Sequence, residues 1–257
     1  MIPLTVNLRG VTQVFGGSGD GTTAIRGMDL TVARGEFLSI IGPSGCGKST
    51  LLKIIAGIIL PTCGEVLVNG ASVNGPVREA ELMLQRPVLL PWKTVRVNIM
   101  TPLRVRFGAH SRDELLANQL LELVGLSDWA ERYPQELSLG MQQRVSLCRA
   151  LITNPTLLLM DEPFSSLDEI TRERMALELL RIWDGHYSTV IFVTHSVAEA
   201  VLLSDRVVVM TGTPGSTRAS FLIRIPRPRR VDMLASAEFG ELAGRIRDAI
   251  AMDGPCS

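Results

Sequence analysis

The sequence predicts an α/β fold with a buried parallel sheet that is interrupted by a helical insert. Near-continuous apolar runs predict strands at residues 37–41, 157–160, 190–193 and 207–210. Segments with helical spacing of apolar residues lie between these runs, and this alternation is typical of a parallel sheet covered by helices. From about residue 88 to residue 155 the helical period replaces the strands, which predicts the insert.

Shorter strands are predicted in the N-terminal third of the chain. Residues 4–15 and 25–32 alternate between apolar and polar side chains. Residues 65–68 precede Asn69-Gly70, a dipeptide that favours a tight hairpin turn. Residues 82–84 form another short apolar run. These segments add strands to the fold before the helical insert begins.

A phosphate-binding loop is predicted between the first buried strand and a helix that starts near residue 51. The pattern G-x-x-x-x-G-K-[ST] is matched by Gly42, Pro43, Ser44, Gly45, Cys46, Gly47, Lys48 and Ser49, with Thr50 following. The glycines allow backbone N–H groups to converge on one anion, and the helix N-terminus adds partial positive charge. Lys48 supplies a charge for the β- and γ-phosphates, and Ser49 a hydroxyl for Mg²⁺. The alternative, a glycine-rich turn that merely contains a lysine, leaves the strand–loop–helix context unexplained.

Two carboxylates follow the buried strand at residues 157–160. We expect Asp161 to hold the Mg²⁺ shell and Glu162 to polarise the water that attacks the γ-phosphate. Gln85 and His195 also follow apolar strands, where side chains face the ligand edge of a parallel sheet. Taken singly, Gln85 and His195 are better explained as ordinary polar residues at strand ends. For Asp161 and Glu162 the alternative is a surface acid pair after a core strand, which is the weaker explanation even without the phosphate loop.

Composition excludes several classes of protein. Lys plus Arg total 26 and Asp plus Glu total 26 in 257 residues, so the net charge gives no indication of a nucleic-acid partner. No apolar run has the length of a membrane span, and no secretory signal pattern is present. The four cysteines are scattered without a C-x-x-C pair, which favours a reducing cytoplasm over a zinc site or disulfides.

The segment from Leu137 to Arg144, L-S-L-G-M-Q-Q-R, resembles the signature motif of ABC transporter ATPases, L-S-G-G-x-Q-x-R. The order of phosphate loop, Gln85, signature, Asp161-Glu162, Asp168 and His195 is similar to that family over residues 4–225. The resemblance implies the ABC ATPase fold: a P-loop NTPase parallel-sheet core, an antiparallel β lobe and a helical lobe. The implied domain covers residues 1–230, with the core and β lobe at 1–87 and 156–230 and the helical lobe at 88–155. A C-terminal helical tail follows at 231–257.

The resemblance also implies ATP and Mg²⁺ as cofactors, with roles for residues inside one subunit. Phe15 matches the aromatic residue that stacks on adenine, although a core phenylalanine is the alternative. Gln85 is expected to touch Mg²⁺ and to sense the membrane partner. His195 is expected to hold the γ-phosphate and its attacking water, and Asp168 to lie at the dimer seam.

A second subunit completes the implied nucleotide site. Ser138 and Gly140 are expected to contact ATP bound to the opposite subunit, and Gln142 belongs to the same nucleotide-binding set. ATP is then clamped between two head-to-tail copies, and hydrolysis releases the clamp. The expected assembly is a homodimer of ATPase subunits bound to an integral membrane permease, at the cytoplasmic face of the inner membrane and without nucleic acid.

The transported substrate is indicated only by class. The segment Gln85 to Trp92, together with Thr213-Pro214-Gly215 and Pro226 to Arg229, resembles the branch that imports nitrate, sulfonate, taurine and bicarbonate. Importers of pyrimidine precursors share these features, and both kinds are fed by an extracytoplasmic binding protein. The predicted function is therefore an ATPase that energises an importer of small anions or small organic compounds. Pro226 to Arg229 are called the Arg-rich tail below. Taken by composition alone, these four residues favour a solvated extension.

Two departures keep alternatives open. Leu139 replaces the first glycine of the signature motif, so we expect strain or crowding there, unless Leu139 lies in an ordinary helix and points away from the nucleotide. Ser196 follows His195 where the family often has Asp. The alternatives are an ABC ATPase without a transport partner and a regulatory subunit that binds ATP but hydrolyses it poorly.

Overall fold

The computed structural model describes residues 4–16, 21–108, 110, 112–184 and 188–251. Its strands are β1 (Leu4–Phe15), β2 (Thr22–Ala33), β3 (Phe37–Ile41), β4 (Cys63–Val68), β5 (Ala71–Ser72), β6 (Ala80–Met83), β7 (Leu157–Asp161), β8 (Thr189–Thr194), β9 (Arg206–Thr211) and β10 (Ser216–Leu222). Its α-helices are α1 (Lys48–Ile55), α2 (Val95–Phe107), α3 (Arg112–Leu123), α4 (Leu139–Leu151), α5 (Glu169–Asp184), α6 (Val197–Leu203) and α7 (Ala237–Ala251).

The chain separates into two compact units. The sheet unit contains the described residues of Met1–Leu82, Thr156–Glu162 and Tyr187–Ser257, and the helical unit those of Met83–Pro155 and Pro163–His186. This division differs from the sequence-based boundaries at α5, which groups with the helical unit rather than the core. Helix α7, in the expected tail, groups with the sheet unit.

The sheet unit holds two sheets. A six-stranded sheet has the order β10-β9-β3-β8-β7-β6, in which β3 pairs in parallel with β8 and β9, and β7 with β8. The predicted parallel sheet is therefore present, with β10 as an added antiparallel edge strand. A second sheet, β2-β1-β4-β5, is antiparallel throughout.

Burial explains why these segments form strands. Every residue of β3, β7 and β8 is buried, as expected for apolar runs in a sheet covered on both faces. Helix α1 buries Leu51, Leu52, Ile54 and Ile55 in one core that also contains side chains from both sheets. This core fixes the start of α1 beside the carboxyl end of β3, where the phosphate loop lies.

In the helical unit, α4 contributes most to the interior. Val145, Leu147 and Cys148 are at most 1% exposed. The Cys148 thiol donates to the Leu120 carbonyl, and burial raises its pKa to about 12. A thiol in such a place is chemically inert, so Cys148 serves packing.

The Arg-rich tail is not the solvated extension favoured by its composition. Arg229 is only 6% exposed and donates to four backbone carbonyls. Arg227 forms an ion pair with Asp205 at 2.9 Å. Composition predicted exposed arginines, but the guanidinium groups of the Arg-rich tail hydrogen-bond to backbone carbonyls and a carboxylate. These acceptors offset the free-energy cost of burying the charged groups.

Candidate functional site

The phosphate loop has the backbone conformation that its glycines permit. Gly45 and Gly47 have φ angles of 83° and 91°, in the left-handed region that favours glycine. A Cβ on Gly42 would lie 2.0 Å from the Met210 carbonyl oxygen, so no larger residue fits there. Helix α1 begins at Lys48, earlier than predicted, and its N-cap Gly47 makes no side-chain cap bond. The first-turn N–H groups are thus left for an anion.

Lys48 is held inside this loop. Its side chain is 6% exposed, and Nζ donates to the carbonyls of Gly42 and Pro43, both at 2.8 Å. Cys46 lies beside it, and burial raises the pKa of the Cys46 thiol. The ammonium charge is therefore fixed by loop carbonyls at the position that the sequence predicts for phosphate contact.

The end of β7 joins the phosphate loop through Asp161. This carboxylate is 6% exposed and hydrogen-bonded to the Ser49 side chain. Burial raises the pKa of Asp161 and the neighbouring charge of Glu162 adds to the rise, whereas the Ser49 bond opposes it. Two side chains with hard oxygen atoms thus meet, one from a strand end and one from a helix start.

Glu162 has an unusual backbone. Its φ is 48°, in the left-handed region where a glutamate is rarely found, and its N–H donates to the Val193 carbonyl at 2.9 Å. Its Oε2 lies 3.4 Å from Nδ1 of His195. Strands β7 and β8 are parallel neighbours that end at the same edge of the sheet, which brings these two side chains together.

The start of α6 fixes the backbone on either side of His195. Thr194 Oγ1 donates to Glu199 at 2.5 Å and accepts from the N–H of Ser196 at 3.0 Å. Ser196 is the N-cap of α6, and its Oγ accepts from the N–H of Glu199 at 3.3 Å. Serine at this position therefore supplies the capping oxygen that an aspartate can also provide.

Phe15 lies at the end of β1, where it pairs with Thr22. Its ring is 42% exposed, so the alternative that Phe15 is a core residue is wrong. An exposed ring at a strand end is available for stacking, which remains a proposal for this chain.

The signature segment opens helix α4 in the helical unit. Ser138 is the N-cap, and its Oγ accepts from the N–H of Met141 at 3.3 Å. Leu139 is the first helical residue and has no positive φ. The prediction of backbone strain at Leu139 is therefore wrong, because leucine adopts the conformation of a helix start without a left-handed φ. The side chain of Leu139 is 55% exposed.

The other two residues predicted from the signature motif, and Asp168, which is predicted at a dimer seam, have defined surroundings. A Cβ on Gly140 would lie 3.0 Å from Cδ2 of Leu167, so Gly140 is tightly packed. Gln142 donates through Nε2 to the carbonyls of Pro134 and Leu137 at 2.9 and 3.2 Å, which holds the signature segment in place. Asp168 accepts from the N–H of Thr171 at 3.0 Å, and this bond lowers the pKa of the exposed carboxyl.

Gln85 belongs to the helical unit, whereas Ser49 and Asp161 belong to the sheet unit. The Gln85 carbonyl accepts from Nε2 of Gln143 at 3.3 Å, and Gln143 is 1% exposed. Arg149 of the same helix α4 donates to the Val88 carbonyl. Sequence reasoning missed Gln143, because three side chains in Q-Q-R offer no signal of which one is buried.

The oxygen-bearing side chains at this place in the sheet unit fit a magnesium ion whose remaining ligands come from a bound phosphate compound and water. Among the described residues, no group of three or more His, Cys, Asp or Glu side chains could hold a metal. Ser49 and Asp161 supply oxygen, the donor that Mg²⁺ prefers, but only two ligands. Mg²⁺ sites that are completed by phosphate and water have this kind of donor set.

Comparison with known proteins agrees with this geometry. A family model described as ABC transporter matches residues 25–165. An uncharacterized ABC transporter ATP-binding protein of Methanocaldococcus jannaschii is 43% identical over 224 residues, which cover 87% of this chain and 84% of that protein. The taurine import ATP-binding protein TauB of Roseobacter denitrificans is 41% identical, with 81% of this chain and 77% of that protein covered.

A longer relative is the bicarbonate transport ATP-binding protein CmpC of Synechococcus elongatus. It is 42% identical over 232 residues, which cover 89% of this chain but 35% of that protein. This chain therefore spans about a third of the length of CmpC.

A solved dimeric ATP-binding cassette, in a post-hydrolysis state bound to ADP and Pi, is 31% identical to this chain. The match has a TM-score of 0.78 and covers 86% of this chain and 100% of that one. The predicted fold, a parallel-sheet core with an antiparallel β lobe and a helical insert, is confirmed. No α-helix in the described ranges combines the length and the apolar character that crossing a membrane requires.

Proposed function

The chain belongs to the ABC transporter family as an ATP-binding, ATP-hydrolysing subunit, and we propose that it energises an importer of small anions or small organic compounds. The family predicted from the order of motifs is confirmed by the family model and by relatives at 41–43% identity. The observation that carries the proposed chemistry is the 3.4 Å approach of Glu162 to His195, next to the Asp161–Ser49 hydrogen bond.

ATP binding is assigned to the phosphate loop and to Phe15. The N–H groups at the start of α1 and the Lys48 ammonium meet the β- and γ-phosphates. Lys48 is already held at the loop by two carbonyls, so little reorganisation is needed for it to reach phosphate. The exposed ring of Phe15 supports a stacking contact with adenine.

Mg²⁺ is assigned to Ser49 and Asp161, and the family resemblance proposes Gln85 as a further ligand. When bound with ATP, the ion neutralises charge on the β- and γ-phosphate oxygens. Asp161 can serve as its carboxylate because Ser49 already hydrogen-bonds the ionised form.

Hydrolysis is assigned to Glu162, with His195 beside it. Glu162 accepts a hydrogen bond from the water whose oxygen attacks the γ-phosphorus, while the bond from that phosphorus to the ADP oxygen breaks. His195 holds the γ-phosphate and the same water. A glutamate fixed by its own backbone bond to Val193 supports this role, because proton acceptance depends on positioning within hydrogen-bond reach.

A homodimer is proposed as the active form. Ser138 and Gly140 would contact ATP on the partner subunit, and Asp168 would lie at the seam between subunits. The dimeric state of the solved cassettes supports this assembly. Gln142 is proposed to act indirectly, since its amide holds the signature segment through two carbonyls.

The cargo class follows from the relatives and from the segment that ends at Trp92. Two relatives are named for bicarbonate transport and taurine import. We propose that this chain drives a permease for similarly small solutes, fed by an extracytoplasmic binding protein, and works at the cytoplasmic face of the inner membrane. Trp92, which is 68% exposed, supports contact with a membrane partner.

The weakly hydrolysing alternative loses its main support in the structure. It rested on strain at Leu139, which lies in an ordinary helix start. The hold of the loop carbonyls on Lys48 and the approach of Glu162 to His195 support a hydrolysing site instead. The alternative of an ABC ATPase without a transport partner is disfavoured by the import proteins among the relatives.

Reconstitution tests the proposal. The protein would be placed in proteoliposomes with the permease and binding protein of its own cell, and ATP hydrolysis measured with bicarbonate, nitrate, taurine or an alkylsulfonate. We expect one solute to stimulate ATPase activity and to accumulate inside vesicles. Hydrolysis that no permease stimulates would favour the non-transport alternative, and binding without hydrolysis the regulatory one.

A further inference from the structure

The C-terminal end of helix α6 is closed by two arginines of the tail. Arg229 donates to the carbonyls of Val201, Leu202 and Ser204, at 3.2, 3.0 and 2.6 Å. Arg227 donates to the carbonyl of Leu203 at 2.9 Å. The last four carbonyls of a helix have no partner within it. The tail therefore satisfies four consecutive carbonyls, 201–204, at the end of α6.

The same arginines tie α6 to the strand that leads into the phosphate loop. Arg227 pairs with Oδ1 of Asp205, while Oδ2 of Asp205 accepts from the N–H of Phe37, the first residue of β3, at 2.9 Å. Ser204 shares a hydrogen bond with Ser39 in the middle of β3, and both serines are 0% exposed. The end of α6 is thus fixed in a buried polar cluster.

The other end of α6 leads directly to His195. The helix has seven residues, so its two ends are only about 10 Å apart. His195 precedes the N-cap Ser196, and its neighbours Thr194 and Ser196 are bonded to Glu199 in the first turn. The His195 side chain itself is 60% exposed, so its position depends on the backbone that α6 fixes.

We propose that Arg229, supported by Arg227, is a positioning residue for His195. The two guanidinium groups set the position of α6 along its axis, and α6 in turn sets the distance between His195 and Glu162. The inference rests on the proposed role of His195 in hydrolysis. By this inference the Arg-rich tail contributes indirectly to ATP hydrolysis, whereas a solvated tail would not.

The test compares Arg229→Lys with Arg230→Lys in the full chain. Lysine keeps the charge at position 229 but cannot span the same carbonyls with one ammonium group. Arg230 is the matched control, because it is the next residue, is exposed and forms an ion pair with the exposed Asp232. Affinity for a fluorescent ATP analogue, kcat and KM for ATP, and Tm would be measured for each variant.

We expect Arg229→Lys to lower kcat about tenfold, because small displacements of catalytic groups cost up to a hundredfold. Nucleotide affinity should stay within about twofold, because the phosphate loop is untouched. Arg230→Lys should keep the wild-type kcat. In a His195→Ala background, Arg229→Lys should lower the remaining rate by less than about twofold, since the residue it positions is gone.

An equal fold loss of rate in both backgrounds would overturn the proposal and leave Arg229 a purely structural role. An unchanged kcat in Arg229→Lys would also overturn it. If Arg229→Lys does not fold, Arg227→Gln replaces it, with the same selective loss expected and full activity as the contrary result. A wild-type ATPase rate in the single variant His195→Ala would show that the proposed role of His195 in hydrolysis is wrong. The inference about Arg229 rests on that role and would be overturned as well.

Discussion

Oε2 of Glu162 lies 3.4 Å from Nδ1 of His195, although 33 positions separate the two residues in the chain. The approach follows from topology, because β7 and β8 are parallel neighbours that deliver their last residues to one edge of the sheet. The left-handed φ of 48° at Glu162 completes it by turning the chain sharply as β7 ends. Strained backbone of this kind is common at functional sites, which supports the catalytic assignment.

Lys48→Ala is expected to weaken nucleotide binding itself. The variant removes the ammonium charge from the proposed phosphate contact, and charge-assisted hydrogen bonds are about twice as strong as neutral ones. We expect ATP affinity to fall by about tenfold or more, measured by titration with a fluorescent analogue. Lys93→Ala, at an exposed position in the helical unit, is the control and should bind ATP as the wild type does. An ATP affinity in Lys48→Ala equal to that of the wild type would show that Lys48 does not contribute to nucleotide binding.

Asp161→Asn is expected to make the nucleotide-free protein more stable at pH 7. Burial raises the pKa of Asp161, so the folded state binds its proton more tightly than the unfolded chain does. The carboxylate therefore destabilises the fold above its folded-state pKa, and this penalty vanishes below about pH 3.9, the unfolded value. Asparagine has no such penalty at any pH, while loss of the proposed metal ligand should lower ATPase activity.

Urea unfolding of both proteins at several pH values checks this expectation. The stability advantage of Asp161→Asn should be largest at neutral pH and shrink as the solution is acidified. An advantage that is absent at pH 7, or that grows towards acid pH, would contradict the assigned cause of the pKa shift.

Leu139→Gly is expected to lower stability rather than raise it. Leu139 already has helical geometry, so glycine relieves no strain and adds backbone freedom in the unfolded state. We expect the free energy of unfolding to fall by about 0.5–1 kcal/mol, measured with urea. Leu139→Ala is the matched variant, since it removes the side chain but keeps helix propensity. A rise in stability for glycine alone would restore the strain hypothesis.

The ATPase rates of the same two variants test crowding separately. The 55% exposed side chain of Leu139 lies between Ser138 and Gly140, which are proposed to meet the partner's nucleotide. If crowding limits closure, Gly and Ala should both raise the rate. Equal rates for all three proteins would show that Leu139 is accommodated.

Much of the fold could be predicted from the sequence because its signals are local. The run at Phe37–Ile41 forms β3 with the predicted bounds, and Asn69-Gly70 forms the expected turn with φ angles of 50° and 81°. The phosphate loop is equally local, since its glycines, lysine and flanking elements are contiguous. The proximity of Glu162 and His195 was predictable because neighbouring parallel strands have their carboxyl ends at the same edge of the sheet.

The remaining features depend on tertiary surroundings. The left-handed backbone of Glu162 arises from the β7–β8 edge and has no signature in residue type. Arginine is usually exposed, so composition could not predict that Arg229 would find carbonyls of α6. For Leu139 the sequence left two possibilities open, strain or an ordinary helix, because residue type alone does not decide whether Ser138 caps a helix that begins at Leu139.

The rate of ATP hydrolysis by Glu162→Gln tests the central claim most directly. The amide keeps the size of the side chain but cannot take up a proton from the attacking water. We expect kcat to fall by about a hundredfold or more, with ATP affinity nearly unchanged and an ATP-dependent dimer that persists. Glu169→Gln, at the exposed start of α5, should keep the wild-type kcat. A wild-type kcat in Glu162→Gln would contradict the account.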